Sequence, residues 1–192
     1  MTASIALLDA NVLYAAQLRD LLLQLAFVGL FQPRWSAEIE AEWTGNLLLN
    51  RPELATQIPA TLAMMRSAMP DALVTNYNTD RIAGLSLPDP GDRHVVAAAL
   101  AGGADVIVTF NLKHFPTETL TPLGLEVYHP DAFLQTMTDA EPLIVLSAVR
   151  AILGRLNRPL VSGANYLKTA EGLGLPQTAT FLRQHADLWQ KP

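Results

Sequence analysis

Short continuous apolar runs alternate along this chain with longer stretches in which apolar residues recur at helical spacing. Residues 4–8 are apolar and end in Asp9, the pattern of a buried strand in a parallel sheet covered on both faces. From Asn11 to about Val28 the positions Leu18, Leu21, Leu22 and Leu25 share a helical face, with Arg19, Asp20 and Gln24 as polar punctuation; Gly29 and Pro33 break that helix. Ser36 is placed to cap a second helix running towards Leu49, and Pro52 to open a third that ends near Met69. Between Pro70 and Pro90 the pattern supports a turn at Asn76-Tyr77-Asn78 and two short strands. Asp89-Pro90-Gly91-Asp92 reads as a turn and helix start, leading into an alanine-rich helix over residues 93–101 that Gly102-Gly103 stops. Residues 105–110 form the second clear strand and residues 125–128 a third, followed by a short helix from Pro130 to about Met137.

This order predicts an α/β domain with a mostly parallel sheet flanked by helices, occupying residues 1–137. In such sheets ligands bind in the crevice at the carboxyl ends of the strands; Asp9 stands at one such end and Asn111 just past another. Residues 138–192 form a helical C-terminal extension. Leu143, Leu146, Val149, Ile152, Leu153 and Leu156 lie on one helical stripe, Asn157-Arg158-Pro159 ends that helix, and two shorter helices follow, one ending at Gly172 and one starting near Pro176. The stripe is expected to pack on the main domain or on a second subunit.

Composition narrows the class. Half of the 192 residues are apolar and 16% are charged, so the chain can bury a real core. The absence of cysteine excludes disulfides and thiolate metal sites and suits a reducing, cytoplasmic setting. The start of the sequence lacks the basic stretch and apolar run of a signal peptide, and the longest apolar stretch, residues 21–31, is too short to span a bilayer, so no membrane association is expected. The net charge of −5 supplies no bulk basic field for nucleic acid, although a local basic rim can exist on an acidic protein.

Three carboxylates stand where chemistry is plausible. Asp9 closes the first strand, Glu42 lies inside the second helix, and Asp92 opens the alanine-rich helix. If those elements meet at the carboxyl edge of the sheet, the side chains converge. Clustered carboxylates repel one another unless a cation neutralises them, and an oxygen-rich set suits Mg²⁺ or Mn²⁺. Each residue also has a structural role open to it. Asp9 can cap the following helix by bonding amides near Leu13; Glu42 can be one more solvated helix charge, with Glu38 and Glu40 as rivals; Asp92 can favour a helix start, with Asp89 as the cap instead. The four histidines, His94, His114, His129 and His185, have no metal-ligand spacing, and no phosphate-cradling glycine-rich loop or nucleophile elbow is present.

LLDANVLYAA at 7–16 resembles the opening strand and helix of PIN domains; WSAEIEAEW at 35–43 resembles their second motif and places the matching glutamate at Glu42. LPDPGDRHVVAAALAGGADVIVTFNLKHFP at 87–116 is the strongest match, and YHPDAFL at 128–134 resembles the closing helix. The likeness covers roughly residues 5–137 and points to ribonucleases of the VapC toxin type, one branch of which has a helical extension similar to residues 138–192.

The resemblance implies a divalent-metal site, with Mg²⁺ or Mn²⁺, and hydrolysis of RNA phosphodiesters. It also implies a cognate antitoxin protein that blocks the site, and a homodimer. Asp9, Glu42 and Asp92 carry over as metal-organising acids, and Asn11 and Thr109 as the residues that orient them. The chain departs from the family at the fourth acid. Asn111 and His114 stand at the two candidate positions, and an Asn111 carbonyl that ligates in place of a carboxylate removes one negative charge, which lowers metal affinity or leaves a single-metal site. Arg93, Lys113 and His114 adjoin the motifs and are candidates for RNA phosphate contact, or Arg93 and Lys113 are solvated surface cations. Arg150, Arg155 and Arg158 offer a second basic strip or an antitoxin contact, and Trp35 and Trp43 are expected to pack the Glu42 helix rather than stack bases. The alternative reading is a PIN-fold RNA- or partner-binding protein with a weakened or inactive metal site.

Overall fold

The apolar run that ends at Asp9 forms the central strand of a parallel sheet. A computed structural model describes residues 3–82, 84–156 and 161–190, without the side chains of Asp80 and Arg81. The chain runs β1 (Ile5–Leu8), α1 (Ala10–Tyr14), α2 (Ala16–Phe27), β2 (Gln32–Ser36), α3 (Ala37–Asn50), α4 (Ile58–Ala68), β3 (Leu73–Val74), α5 (Arg93–Ala101), β4 (Val106–Val108), α6 (Thr117–Leu120), β5 (Glu126–Tyr128), α7 (Pro130–Ala140), α8 (Pro142–Arg155), α9 (Gly163–Gly172), α10 (Pro176–Gln184) and α11 (Ala186–Trp189). These elements gather into two compact units, Met1–Tyr14 with Phe31–His129, and Ala15–Leu30 with Pro130–Pro192. The sequence reading set one boundary after residue 137; the contacts instead group the segment around α2 with the C-terminal helices.

In the first unit five parallel strands lie in the order β3-β2-β1-β4-β5. Ala6, Leu7 and Leu8 are wholly buried, as are Ile107 and Val108, which is why these strands read as unbroken apolar runs. The chain leaves β1 towards β2 and β3 and returns to the other side of β1 for β4, so the order reverses between β1 and β4. Their carboxyl ends, Asp9 and Thr109 onwards, therefore flank the crevice where open α/β sheets take their ligands. The alanine-rich α5 packs against β1, β2 and β4. Its end comes so close to the sheet that a Cβ on Gly102 would sit 2.9 Å from Val74 Cγ2, and Gly103 takes a positive φ of 64° to turn the chain, so both stop residues are required to be glycine.

Several expectations hold. Ser36 caps α3, its hydroxyl accepting from Ile39 N at 3.2 Å. α5, β4, β5, α9 and α10 fall where the pattern puts them, and Trp35 and Trp43 are buried beside α3. Other details differ. The helix expected over 11–28 is two, because Ala15 is extended (φ −79°, ψ 113°). Gln32–Ser36 is a strand, where the sequence predicts a helix break at Pro33. Trp35 N donates to Ala72 O on the β3 side, so Pro33, two residues earlier on that side, comes before β3 begins and its missing N–H costs no ladder bond. The helix expected from Pro52 is a 3-10 turn, Pro52–Leu54, followed by α4, whose first turn accommodates Pro59 as a helix interior would not. Between residues 70 and 90 one strand, β3, and a 3-10 turn, Thr79–Ile82, replace the two strands.

In the second unit, the helix expected from Thr138 begins instead at Pro142. Glu141 precedes a proline, which disfavours helical backbone, and it sits at φ −139°, ψ 59°. Leu146, Val149, Ile152 and Leu153 are buried as a stripe, but Leu143 is 70% exposed. α8 packs on the leucine-rich α2, and Arg155 hydrogen-bonds Gln24 and Asp20. The expected helix end at 157–159, with Arg158, lies outside the described residues. Tyr166 and Trp189 are fully buried with ring centroids 6.1 Å apart. Asp131, 2% exposed, accepts from Gln177 N (2.8 Å), Thr178 N (2.9 Å) and Thr178 Oγ1 (2.7 Å). It thus serves as the N-cap that Leu175 cannot supply to α10. Replacing Asp131 with alanine should cost about 1–3 kcal/mol, read by urea denaturation; an unchanged midpoint would show that the cap is not needed.

Candidate metal centre

Asp9 emerges from β1 with 5% exposure, and its carboxylate is almost fully engaged. Oδ1 accepts from Ala10 N at 2.6 Å; Oδ2 accepts from Asn11 Nδ2 at 2.6 Å and from Thr109 Oγ1 at 2.7 Å. A carboxylate offers about four acceptor positions, so about one remains. The local chain explains part of this. The Asp9 carbonyl accepts from Val12 N and Leu13 N and so starts α1, while its side chain turns away from those amides. Capping near Leu13 is therefore not the role of this side chain. Asn11 and Thr109 also bond each other (3.0 Å), Asn11 Oδ1 accepts from Phe110 N (3.0 Å), and Thr109 Oγ1 accepts from Asn111 N (3.0 Å). The start of α1 and the segment after β4 are thereby tied together around the carboxylate.

Asp9, Asn11, Glu42, Asp92 and Asn111 line one cleft of about 370 Å³, together with Ala10, Tyr14 and Asn46. The two rival glutamates of α3 are placed elsewhere. Glu40, 3% exposed, accepts from Trp35 Nε1 at 2.9 Å and from Arg66, so it holds α4 to α3. Glu38 accepts from Tyr77 OH at 2.9 Å. At the start of α5 Asp89 is the local cap, accepting from Gly91 N at 2.8 Å, while Asp92 bonds no amide of its helix and lies 2.8 Å from His114 Nδ1.

Burial raises the Asp9 carboxyl above its ordinary range; the Thr109 and Ala10 hydrogen bonds act against this, and the charges of Asp92 and Glu42 add to it. Asp92 is raised as well, chiefly by burial, although the bond and charge of His114 pull it down. Three carboxylates and a carboxamide line one cleft, an oxygen-rich lining that suits a hard divalent cation. The residues present fit Mg²⁺ or Mn²⁺.

The cationic candidates are spread around this cleft. Arg93 turns its guanidinium to Leu85 O (3.2 and 3.3 Å) and lines an adjoining hollow with Glu38, Glu42 and His94. Lys113 is exposed on the 3-10 turn Leu112–His114. Besides its bond to Asp92, His114 belongs to a group with Asp89 whose potential ligand atoms lie within 4.8 Å of one another. His94, Tyr14 and Asn46 are the cleft neighbours that sequence reasoning passed over. His94 Nε2 lies 2.9 Å from Glu42 Oε1, and no spacing rule links residues on two different helices.

An acid-lined cleft at the switch point of a parallel sheet defines a class, and likeness to known proteins gives it a name. Residues 6–113 match the PIN domain family, and the chain belongs to it. Residues 130–184 match the VapC50 C-terminal domain family. A curated relative from Mycobacterium tuberculosis (strain ATCC 25618 / H37Rv), named "Putative ribonuclease VapC50", is 46% identical over 66 residues, a stretch covering 32% of this chain and 39% of the relative. The match thus spans well under half of that protein. No solved structure matches the chain.

The raised Asp9 carboxyl fixes a pH dependence. The folded chain holds this proton to higher pH than the unfolded chain, whose carboxyl titrates near 3.8, so the associated stability is full below 3.8 and is lost as pH rises through the folded value. In EDTA, the stability of the natural protein relative to Asp9→Asn should therefore increase as pH falls from 7 towards 4, measured by urea denaturation. A difference that shrinks over that range would mean that the carboxyl is depressed instead.

Proposed function

We propose that the protein is a metal-dependent endoribonuclease, the toxin of a VapBC-like toxin–antitoxin pair acting in the cytoplasm. The observation that carries this reading is the convergence of Asp9, Glu42, Asp92 and Asn111, from four separate segments, on one cleft. Asp9, Glu42 and Asp92 would hold the ion, with the Asn111 carbonyl in place of a fourth carboxylate. A bound Mg²⁺ or Mn²⁺ supplies Lewis-acid polarisation of the phosphate and a water of lowered pKa. Asn11 and Thr109 donate to Asp9 and so aim its remaining acceptor position at the cleft. Arg93, Lys113 and His114 are the candidate contacts to RNA phosphates on either side of the scissile bond, His114 through the nitrogen that Asp92 leaves open. In-line attack of water on phosphorus, with departure of the 3′ oxygen, yields 5′-phosphate and 3′-hydroxyl ends.

The partners follow from the same reading. An antitoxin protein covers the cleft until it is removed, and the toxin associates as a homodimer. The family match over residues 130–184 and the partial likeness to a VapC protein support this assignment. Growth arrest on expression, relieved by a neighbouring open reading frame, tests the pairing.

RNA cleavage by antitoxin-free protein should require Mg²⁺ or Mn²⁺, stop in EDTA, and be lost in Asp92→Asn with the circular dichroism unchanged. Binding of RNA with no cleavage under any metal would favour the alternative, a PIN-fold binding protein whose Asn111 has weakened the site. Thr109→Val, which keeps the shape but removes the hydroxyl, should lower activity or Mn²⁺ affinity about 10- to 100-fold; full activity would remove Thr109 from the site.

A further inference from the structure

Glu42 is the most exposed carboxylate of the cleft, with 45% of its side chain accessible against 22% for Asp92. A glutamate on an open helix face has three free torsions, and holding it in one place costs rotamer entropy unless a neighbour fixes it. Asp9 is fixed by three donors, whereas Glu42 meets the half-buried ring of His94. His94 has an 11% exposed side chain; its Nε2 is 2.9 Å from Glu42 Oε1, and its Nδ1 is 3.4 Å from Glu38 Oε2, an ion-pair distance without hydrogen-bond geometry. Glu38 and Glu42 are one turn apart on α3, so the ring sits between two carboxylates of the same helix face. Glu38 is itself held by Tyr77 OH at 2.9 Å. The ring belongs to α5, two residues after Asp92, so the helix that carries one acid also grips the other.

We propose that His94 positions Glu42: by donating from Nε2 it holds this carboxylate at the cleft that Asp9 and Asp92 also line, and it joins α3 to α5 there. This rests on the metal-site reading above. The ring acts through Glu42, in the way that partners of metal-bound carboxylates set affinity in other sites. It also explains why the carboxylate most open to solvent can serve a metal centre without being buried.

The test is Mn²⁺ binding to the full, antitoxin-free chain, followed by electron paramagnetic resonance, alongside RNA cleavage at saturating Mn²⁺. His94→Leu fills the site with an apolar side chain but removes the donor, and Mn²⁺ affinity should fall about 10- to 100-fold. His94→Gln keeps an amide donor near the position of Nε2 and should recover most of that loss. In the Glu42→Ala background, His94→Leu should cause no further loss, because no side chain remains for it to orient. Equal Mn²⁺ affinity in the natural protein and His94→Leu overturns the inference while leaving the metal site standing, and so does a His94→Gln variant as weak as His94→Leu. A natural protein that binds no Mn²⁺ overturns both this inference and the function proposed above.

Discussion

The burial of the Asp9 carboxylate at the end of the central strand is the constraint on which the rest of this site depends. A carboxylate with 5% exposure is costly unless donors surround it, and the three that do so come from the start of α1 and from the segment after β4. Asn11 and Thr109 bond each other as well as Asp9, so the two segments at the switch point of the sheet form one network. That network leaves the carboxyl raised rather than depressed, because burial outweighs the donors and the nearby acids add to it. The fold thus buries a carboxylate beside other acids, where its charge is costly.

The other acids reach the same cleft by independent routes. Glu42 arrives on α3, started by the Ser36 cap, and Asp92 arrives at the head of α5, freed from local capping because Asp89 takes that role. Each meets an imidazole: Glu42 meets His94 and Asp92 meets His114. Burial opposes a charge on His94, but the bond and charge of Glu42, with the charges of Glu38 and Asp9, outweigh it and raise the ring above its ordinary range.

The second unit is built from helices that are distant in sequence. The leucine face of α2 packs with α8 and α9, and Asp131 at the start of α7 caps α10. These are long-range solutions to ordinary requirements, an apolar stripe that needs cover and a helix start that needs an acceptor.

The sequence by itself determined the class of fold and pointed to Asp9, Glu42 and Asp92, which the fold brings to one cleft. Fully buried parallel strands read as unbroken apolar runs, and the glycine pair after α5 is demanded by close packing and a positive φ, so these signals are local. Glu42 was separable from Glu38 and Glu40 only through the family motif, since all three carry the same charge on the same helix. Tertiary structure alone decided the rest. It made Gln32–Ser36 a strand despite Pro33, because only the short length of β3 frees that position from the ladder. It split the helix at Ala15, where an alanine gives no sign of a break, and placed α2 with residues far along the chain. It also put His94 against Glu42, because which side chain of one helix meets which of another is set by how the two pack, and periodicity along either helix carries no record of it.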